Sequence, residues 1–271
     1  MSTASTRIRL TLHYDGSGFH GWQVQPSVRT VQGELDACLS RLADRRITTA
    51  AAGRTDAGVH ATGQVAHADV PAKWTPAALR KSLNAILAPD VWVAAAEAVS
   101  SGFHARFSAS ARGYIYRVGL TPEACSPFRR AWCWPLAERV QVDVLDRGAA
   151  ALQGTHSFRG YAKSGQPERG YDCTVGIARW VEWSDGVELR IVANRFLHHM
   201  VRDLVGTMVD AARGRRDPGD VAGLLDASRL DPKRDDALET SPPAPAEGLF
   251  LARVYYGEEP EPEGPENEDL P

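Results

Sequence analysis

A single carboxylate in a short, glycine-flanked turn is the feature of this chain best suited to chemistry. Asp56 lies within the stretch Gly53–Ala61, and Arg54 precedes it by two residues. Residues two apart in extended chain point to the same side, so Arg54 and Asp56 are expected to share a face. A guanidinium there favours the ionised carboxylate, which can act as a nucleophile without an activating base. A surface arginine–aspartate pair on a turn fits the same residues, because turns favour Gly and Asp.

Hydrophobic patterning places this turn between two strands of an α+β fold. The first half of the chain is predicted to run β-α-β-β-α-β, with strands near 7–14, 47–54, 63–70 and 91–99 and helices after Thr30 and Thr75. The second half repeats this order, with strands near 114–118, 174–183, 187–194 and 248–256 and helices near 142–153 and 195–213. This order is typical of a ferredoxin-like unit, so we expect two such halves with mainly antiparallel sheets.

The predicted organisation is an amino-terminal domain over 1–106 that carries Asp56, a second domain over 107–257, and a tail over 258–271. The segments 121–140 and 155–172 lack clear periodicity and contain several basic residues. We interpret them as loops that flank a basic active-site cleft, although ordinary solvated loops have the same composition.

The charge of the chain is divided between a mildly basic body and an acidic tail. The formal net charge is −3, but residues 258–271 hold six Glu, one Asp and no Lys or Arg. Residues 1–257 therefore carry 31 basic against 27 acidic residues, a net charge of +4. Four prolines accompany the acidic residues of the tail, so we predict that the tail is disordered. The arginine-rich body suits bidentate contacts with phosphate, but an arginine excess is equally expected from a GC-rich genome.

The cysteine and histidine patterns predict no metal site. The four cysteines contain no C-x-x-C pair, and the eight histidines include no H-E-x-x-H. Scattered thiols of this kind suggest a reducing cytoplasm and not a disulfide framework. No run of 18 apolar residues occurs, and the residues after Met1 lack the apolar core of a signal peptide, so a cytoplasmic location is expected.

Five motifs in order resemble those of the tRNA pseudouridine synthase A family. They are GRTDAGVHA at 53–61, HYDGSGFHGWQVQP at 13–26, FHARFSA at 103–109 with RGYIY at 112–116, FLHHMVR at 196–202 and PAEGLFL at 245–251. The resemblance covers residues 7 to about 256, nearly the whole chain.

The resemblance implies an isomerase that converts uridine to pseudouridine in the anticodon stem-loop of tRNA, around positions 38 to 40. It implies Asp56 as the nucleophile, Tyr114 stacked on the uracil, Arg202 facing the aspartate and Leu249 as an apolar wall. With Tyr114, Arg202 and Leu249, Arg54 is expected to bind the substrate. The product is an isomer of the substrate, so no cofactor is expected. The resemblance also implies a homodimer.

Two segments depart from the family pattern. Arg202 is followed by Asp203, where the family usually has Asn, which changes the charge beside the arginine. Residues 241–246 read SPPAPA, where the family usually has a glycine-containing, Thr-Ala-Pro-Ala-like run. The second departure concerns the geometry of the loop before the last strand.

Two other functions remain open from the residues alone. A non-catalytic RNA-binding module could use the same sheets, but the aromatic-rich RNP1 strand of such modules is missing from the sequence. A phosphohydrolase with an aspartate nucleophile normally recruits Mg²⁺ through further carboxylates. The acidic residues nearest to Asp56 are Asp44 and Asp69, more than ten positions away on either side.

Overall fold

The computed structural model describes residues 4–162, 170–226, 230, 237–257, 264 and 265. These residues divide into two units. The first holds the chain up to Ser110 together with the segment that begins at Phe250, and the second holds Ala111–Leu249. The domain limits 1–106 and 107–257 stay a prediction.

The first unit is a sheet of antiparallel strands with two helices. Strand β1 (Ser5–Tyr14) lies between β3 (His60–Pro71) and β4 (Val91–Val99) and is antiparallel to both. Strand β2 (Ala50–Ala51) pairs antiparallel with β3, and β10 (Leu249–Tyr255) pairs parallel with it. Helices α1 (Val31–Ala43) and α2 (Pro76–Ile86) complete the unit.

Local signals in the sequence place the helix starts of this unit. The Thr30 hydroxyl accepts a hydrogen bond from the Gly33 amide (3.3 Å), and Thr75 does the same for Ala78 (3.2 Å). Pro76 follows at the first helical position, where its missing N–H has no cost.

Alternation along β1 explains the core of the first unit. Ile8, Leu10 and Leu12 are fully buried, and the helices bury their own leucines, Leu35, Leu39, Leu79 and Leu83. Burying each such side chain contributes about 1.5–3 kcal/mol. The first unit therefore has its own hydrophobic core.

The second unit is also a mainly antiparallel sheet with helices. Strand β9 (Gly186–Ala193) lies between β5 (Ala111–Gly119) and β8 (Asp172–Trp183), and β7 (Gly154–Ser157) pairs with β8. The short β6 (Trp134–Pro135) runs parallel to the end of β5. The helices are α3 (Val142–Ala151), α4 (Met200–Ala212) and the short α5 (Asp220–Gly223).

The chain therefore has the predicted α+β class with mainly antiparallel pairing. No helix in the described ranges is both long and apolar enough to cross a bilayer. Most of the predicted tail lies outside the described residues; of its members, Gly264 and Pro265 are described and are buried.

The strand predicted at 47–54 is much shorter than expected. Its first residues bond to side chains of α1 instead of to a neighbouring strand. The Ile47 amide donates to the Ser40 hydroxyl (2.9 Å), and the Thr49 amide and hydroxyl both donate to Asp36 (2.9 and 2.7 Å). Only Ala50 and Ala51 remain in the ladder.

The helix predicted from about residue 195 begins at Met200. His199 precedes it with φ +65°, in the left-handed region that interrupts a right-handed helix. Arg195 and His199 therefore lie outside α4 and do not share a helical face with Arg202, contrary to the sequence interpretation.

Candidate active site

Asp56 lies in a tight turn between β2 and β3. Its carbonyl accepts a hydrogen bond from the Val59 amide (3.2 Å), and Gly58 closes the turn with φ +80°. The residue is half-buried, whereas both Thr55 and Val59 are buried. The turn therefore keeps its backbone fixed and its aspartate partly accessible.

A buried polar network holds the residues just before Asp56. The Tyr14 hydroxyl and the Thr55 hydroxyl are hydrogen bonded at 2.8 Å. The fully buried Gln64 side chain donates to the Gly53 carbonyl at 2.8 Å. Such supporting contacts are what keep a reactive side chain in one geometry. Sequence reasoning did not identify Tyr14 or Gln64 as supports, although Tyr14 belongs to a family motif.

The motif at 13–26 holds the same turn from the other side. The Trp22 amide donates to the Thr55 carbonyl (3.0 Å), and the Gly58 amide donates to the Phe19 carbonyl (3.3 Å). Gly21 has φ +90°, and a Cβ added there would lie 2.7 Å from the Thr55 oxygen. The two motifs are thus in direct backbone contact, and the contact requires glycine.

Arg29 holds the segment that follows the motif at 13–26. Its guanidinium donates to Asp90 (2.5 and 2.9 Å) and to Glu34 (2.7 Å), and it lies over the Phe19 ring at 4.1 Å. The hydrogen bonds to Asp90 and then to Glu34 raise the pKa of Arg29 above its ordinary value. Arg29 is therefore a structural cation, occupied by its carboxylate partners.

Arg54 is an exposed residue beside the nucleophile candidate. Within the part of the chain that the structure describes, no ion pair joins Arg54 to Asp56. The pairing of Arg54 with Asp56 that the sequence suggested is therefore not seen among these residues.

Tyr114 lies in the middle of β5 in the second unit. It stands opposite Ile191 of β9 and is 9% exposed. The Phe196 ring meets it edge-on, with centroids 5.0 Å apart and an interplanar angle of 83°. The motifs at 112–116 and 196–202 are therefore brought together around this tyrosine.

Arg202 lies on the first turn of α4 and is held by the segment before β10. Its Nε donates to the Ala244 carbonyl (2.7 Å), and the Ala244 amide donates back to the Arg202 carbonyl (3.0 Å). Asp203, the departure from the family pattern, is buried at 8% exposure.

The proline-rich departure at 241–246 packs closely on α4. The Ser241 amide donates to the Thr207 hydroxyl (3.2 Å), and a Cβ on Gly206 would lie 2.2 Å from the Pro242 oxygen. The substituted segment therefore has a defined path along the helix that carries Arg202.

Leu249 begins β10 and is 6% exposed. The preceding Gly248 lies so close to Tyr116 that an added Cβ would be 2.7 Å from its ring. The Tyr116 hydroxyl donates to the Pro245 carbonyl (2.8 Å), and burial raises its pKa well above the ordinary value. The second unit thus ties the Arg202 and Leu249 segments to β5, the strand of Tyr114.

The five residues singled out in the sequence are divided between the two units. Asp56 and Arg54 belong to the first, and Tyr114, Arg202 and Leu249 belong to the second. Each lies on an element whose backbone is fixed by buried contacts.

Comparison with known proteins agrees with the motifs. The family model described as tRNA pseudouridine synthase matches residues 11–108 and 149–257. Proteins named tRNA pseudouridine synthase A are similar over most of their length. The one from Geobacillus kaustophilus is 39% identical over 258 residues, 93% of this chain and 95% of its own. The one from Chlorobium luteolum is 40% identical over 250 residues, which are 92% of this chain and 95% of its own. The one from Bacillus subtilis is 38% identical over 252 residues, which are 92% of this chain and 99% of its own. The chain belongs to the tRNA pseudouridine synthase family.

Proposed function

We propose that this chain isomerises uridine to pseudouridine in tRNA with Asp56 as its nucleophile. Family membership makes it an isomerase that acts on tRNA. One observation supports the role of Asp56 above all. The residues just before it are fixed by the Tyr14–Thr55 and Gln64–Gly53 hydrogen bonds, a support that a solvated surface aspartate does not need.

The proposed reaction breaks the C1′–N1 bond, turns the uracil and joins C1′ to C5. The proton leaves C5 and N1 gains one, so atoms and charge balance without a cofactor. Attack at C1′, attack at C6 of the base and elimination to a glycal all begin from the same ionised carboxylate. Asp56 is half-buried, so its carboxylate stays partly open to the substrate.

The target base has to leave its stack before it can react. Extruding a base costs a few kcal/mol, and stacking on an aromatic ring returns about 1–3 kcal/mol. We assign that ring to Tyr114, whose orientation is held by Phe196. Arg202 and Leu249 are proposed to contact the nucleotide, and Arg54 a phosphate. The Tyr114 hydroxyl is also proposed to move a proton.

Four finer statements belong to the same proposal. The modified uridines lie in the anticodon stem-loop around positions 38 to 40, and the enzyme works as a cytoplasmic homodimer. Each half is ferredoxin-like. The order β4-β1-β3-β2 in the first unit and β5-β9-β8 in the second supports that description. A mass of one chain, 29.4 kDa, in light scattering at micromolar concentration would contradict the dimer.

The Asp56→Asn variant tests the nucleophile. The amide has the same shape but cannot attack, so turnover should vanish while tRNA affinity, which rests on many phosphate contacts, stays nearly unchanged. Asp44→Asn is the matched control, because Asp44 is an exposed residue at the end of α1 with φ +50°, which Asn tolerates. Pseudouridine is measured by chemical mapping of the tRNA. A few per cent of the wild-type rate in Asp56→Asn would reject the assignment.

The two alternative functions predict different results in the same assay. A non-catalytic RNA-binding module would bind tRNA and form no pseudouridine with the wild-type chain. An Asp-nucleophile phosphohydrolase would release phosphate and lose activity in excess EDTA. The proposed synthase should form pseudouridine at the same rate with or without EDTA.

A further inference from the structure

The loop between β5 and β6 is well packed inside but exposes its tip. Ala124 and Cys133 are fully buried at its base. Pro127, Arg129 and Arg130 are exposed, and Phe128 is 88% exposed, the highest value among the exposed large apolar residues described.

Several contacts fix the loop on the β8–β9 hairpin. The buried Asp185 carboxylate binds the Arg129 guanidinium, and the Asp185 carbonyl accepts from the Leu120 and Thr121 amides (2.7 and 3.1 Å). The Arg130 amide donates to the Ser126 carbonyl (2.8 Å). Phe128 is therefore presented on a pre-organised support.

The chemistry of the tip suits nucleic acid. A protein chain gains little from leaving a phenyl ring in water, whereas an unpaired base stacks on such a ring whatever its sequence. Arg129 and Arg130 directly follow Phe128 in the chain. Arg129 is bound to Asp185, and no ion pair to Arg130 occurs among the described residues. An arginine next to an exposed aromatic residue matches a base with its adjoining phosphate.

The loop leaves the sheet away from Tyr114. Five residues of extended strand lead from Tyr114 to Gly119, where β5 ends and the loop begins, a distance of about 17 Å. Tyr114 is 9% exposed and Phe128 is 88% exposed, so we take a base stacked on Phe128 to be a different nucleotide from the one stacked on Tyr114.

We propose that Phe128, with Arg129 and Arg130, forms a platform that stacks an unpaired base of the tRNA away from the target uridine. This inference rests on the proposed function, because it takes tRNA as the ligand. The platform contributes to affinity and to the placement of the tRNA, and takes no part in bond making.

Substitutions at Phe128 test the platform through the tRNA dissociation constant. Phe128→Ala and Phe128→Leu should both weaken binding by roughly 5- to 150-fold, because neither offers a ring, whereas Phe128→Trp should keep or improve it. The turnover number at saturating tRNA should not change. Val142→Ala is the matched control, since Val142 is an exposed apolar residue of the same unit (45%). It should bind tRNA as the wild type does.

Arg130→Ala separates the phosphate contact from stacking. It should lower the slope of log affinity against log salt by about one, while Phe128→Ala leaves that slope unchanged. Arg147→Ala, which removes an exposed arginine paired with Asp143 on α3, is the control for charge alone.

Three results would overturn the inference. The first is an unchanged tRNA dissociation constant for Phe128→Ala, and the second is wild-type tRNA affinity in Phe128→Leu. The third is a change of oligomeric state of the Phe128 variants in light scattering, which would assign the ring to contact with a second copy of the chain. The outcome is distinguishable from failure of the proposed function. A wild-type chain that forms no pseudouridine but binds tRNA through Phe128 rejects only the activity. Normal pseudouridine formation with unchanged Phe128→Ala affinity rejects only the platform.

Discussion

Replacing Gly21 with alanine should slow catalysis by displacing the Asp56 turn. The new Cβ would lie 2.7 Å from the Thr55 oxygen and 3.2 Å from the Asp56 carbonyl carbon, where ordinary contacts begin at 3.4 Å. The turn must therefore retreat by about 0.7 Å. Since a 1 Å misplacement of a catalytic group costs about a hundredfold in rate, kcat should fall by roughly 10- to 30-fold.

The same substitution should also destabilise the fold. Alanine at φ +90° costs about 1–2 kcal/mol, so Tm should fall by roughly 2–8 °C. Gly102→Ala is the matched control, because the atom nearest to its added Cβ is 3.7 Å away. Single-turnover rates and tRNA affinity are measured for both variants well below their Tm. Wild-type kcat and Tm in Gly21→Ala would refute the argument that this loop positions Asp56.

Three further predictions concern the tyrosine, a buried histidine and the tail. Tyr114→Phe should bind tRNA normally but lose most of its single-turnover rate, and Tyr114→Ala should lose affinity as well; undiminished rates in both would remove Tyr114 from the site. His67 is buried and accepts a hydrogen bond from the Ala105 amide (3.1 Å), and burial lowers its pKa. Below pH 6.5 the unfolded chain therefore binds one more proton at His67 than the folded chain does. The urea midpoint should stay constant above pH 6.5 and decrease as the pH is lowered below it, with a smaller decrease in His67→Asn. A midpoint that rises on acidification would contradict this. Deleting residues 258–271 should modestly tighten tRNA binding at low salt and leave turnover unchanged, because seven acidic residues compete with phosphate. Weaker binding would show instead that the body depends on the packing of the tail, in which Gly264 and Pro265 are buried.

Elements whose own residues determine their structure were predictable from the sequence. The caps at Thr30 and Thr75 place two helix starts, and the alternation of apolar residues predicts β1 and the hairpin of β8 and β9. The element boundaries that differed from the prediction depend on residues distant in the sequence. The strand before Asp56 is short because Asp36 and Ser40 take its hydrogen bonds, which no local pattern reveals.

In the candidate site, too, the sequence predicts some features, whereas others depend on distant partners. Family motifs point to Asp56 and Tyr114 as candidates, but not to the hydrogen bonds before Asp56 or to the Phe196 ring against Tyr114. Gln64 reads as an ordinary strand residue, and only the fold brings its amide to the Gly53 carbonyl. The left-handed backbone of His199 is likewise not expected from the local sequence, since glycine is the usual choice there.

The pairing of the last strand with the first unit has a consequence for synthesis of the protein. β10 pairs with β3 next to the Asp56 turn, with Phe250 opposite His60 and their rings stacked at 4.9 Å. A Cβ on Gly63 would lie 2.0 Å from the Ala252 oxygen, so this contact is close. The ribosome must therefore synthesise the chain through Tyr255 before the unit that carries Asp56 can be completed. A product that ends before β10 would expose this edge of β3, and we expect it to remain inactive.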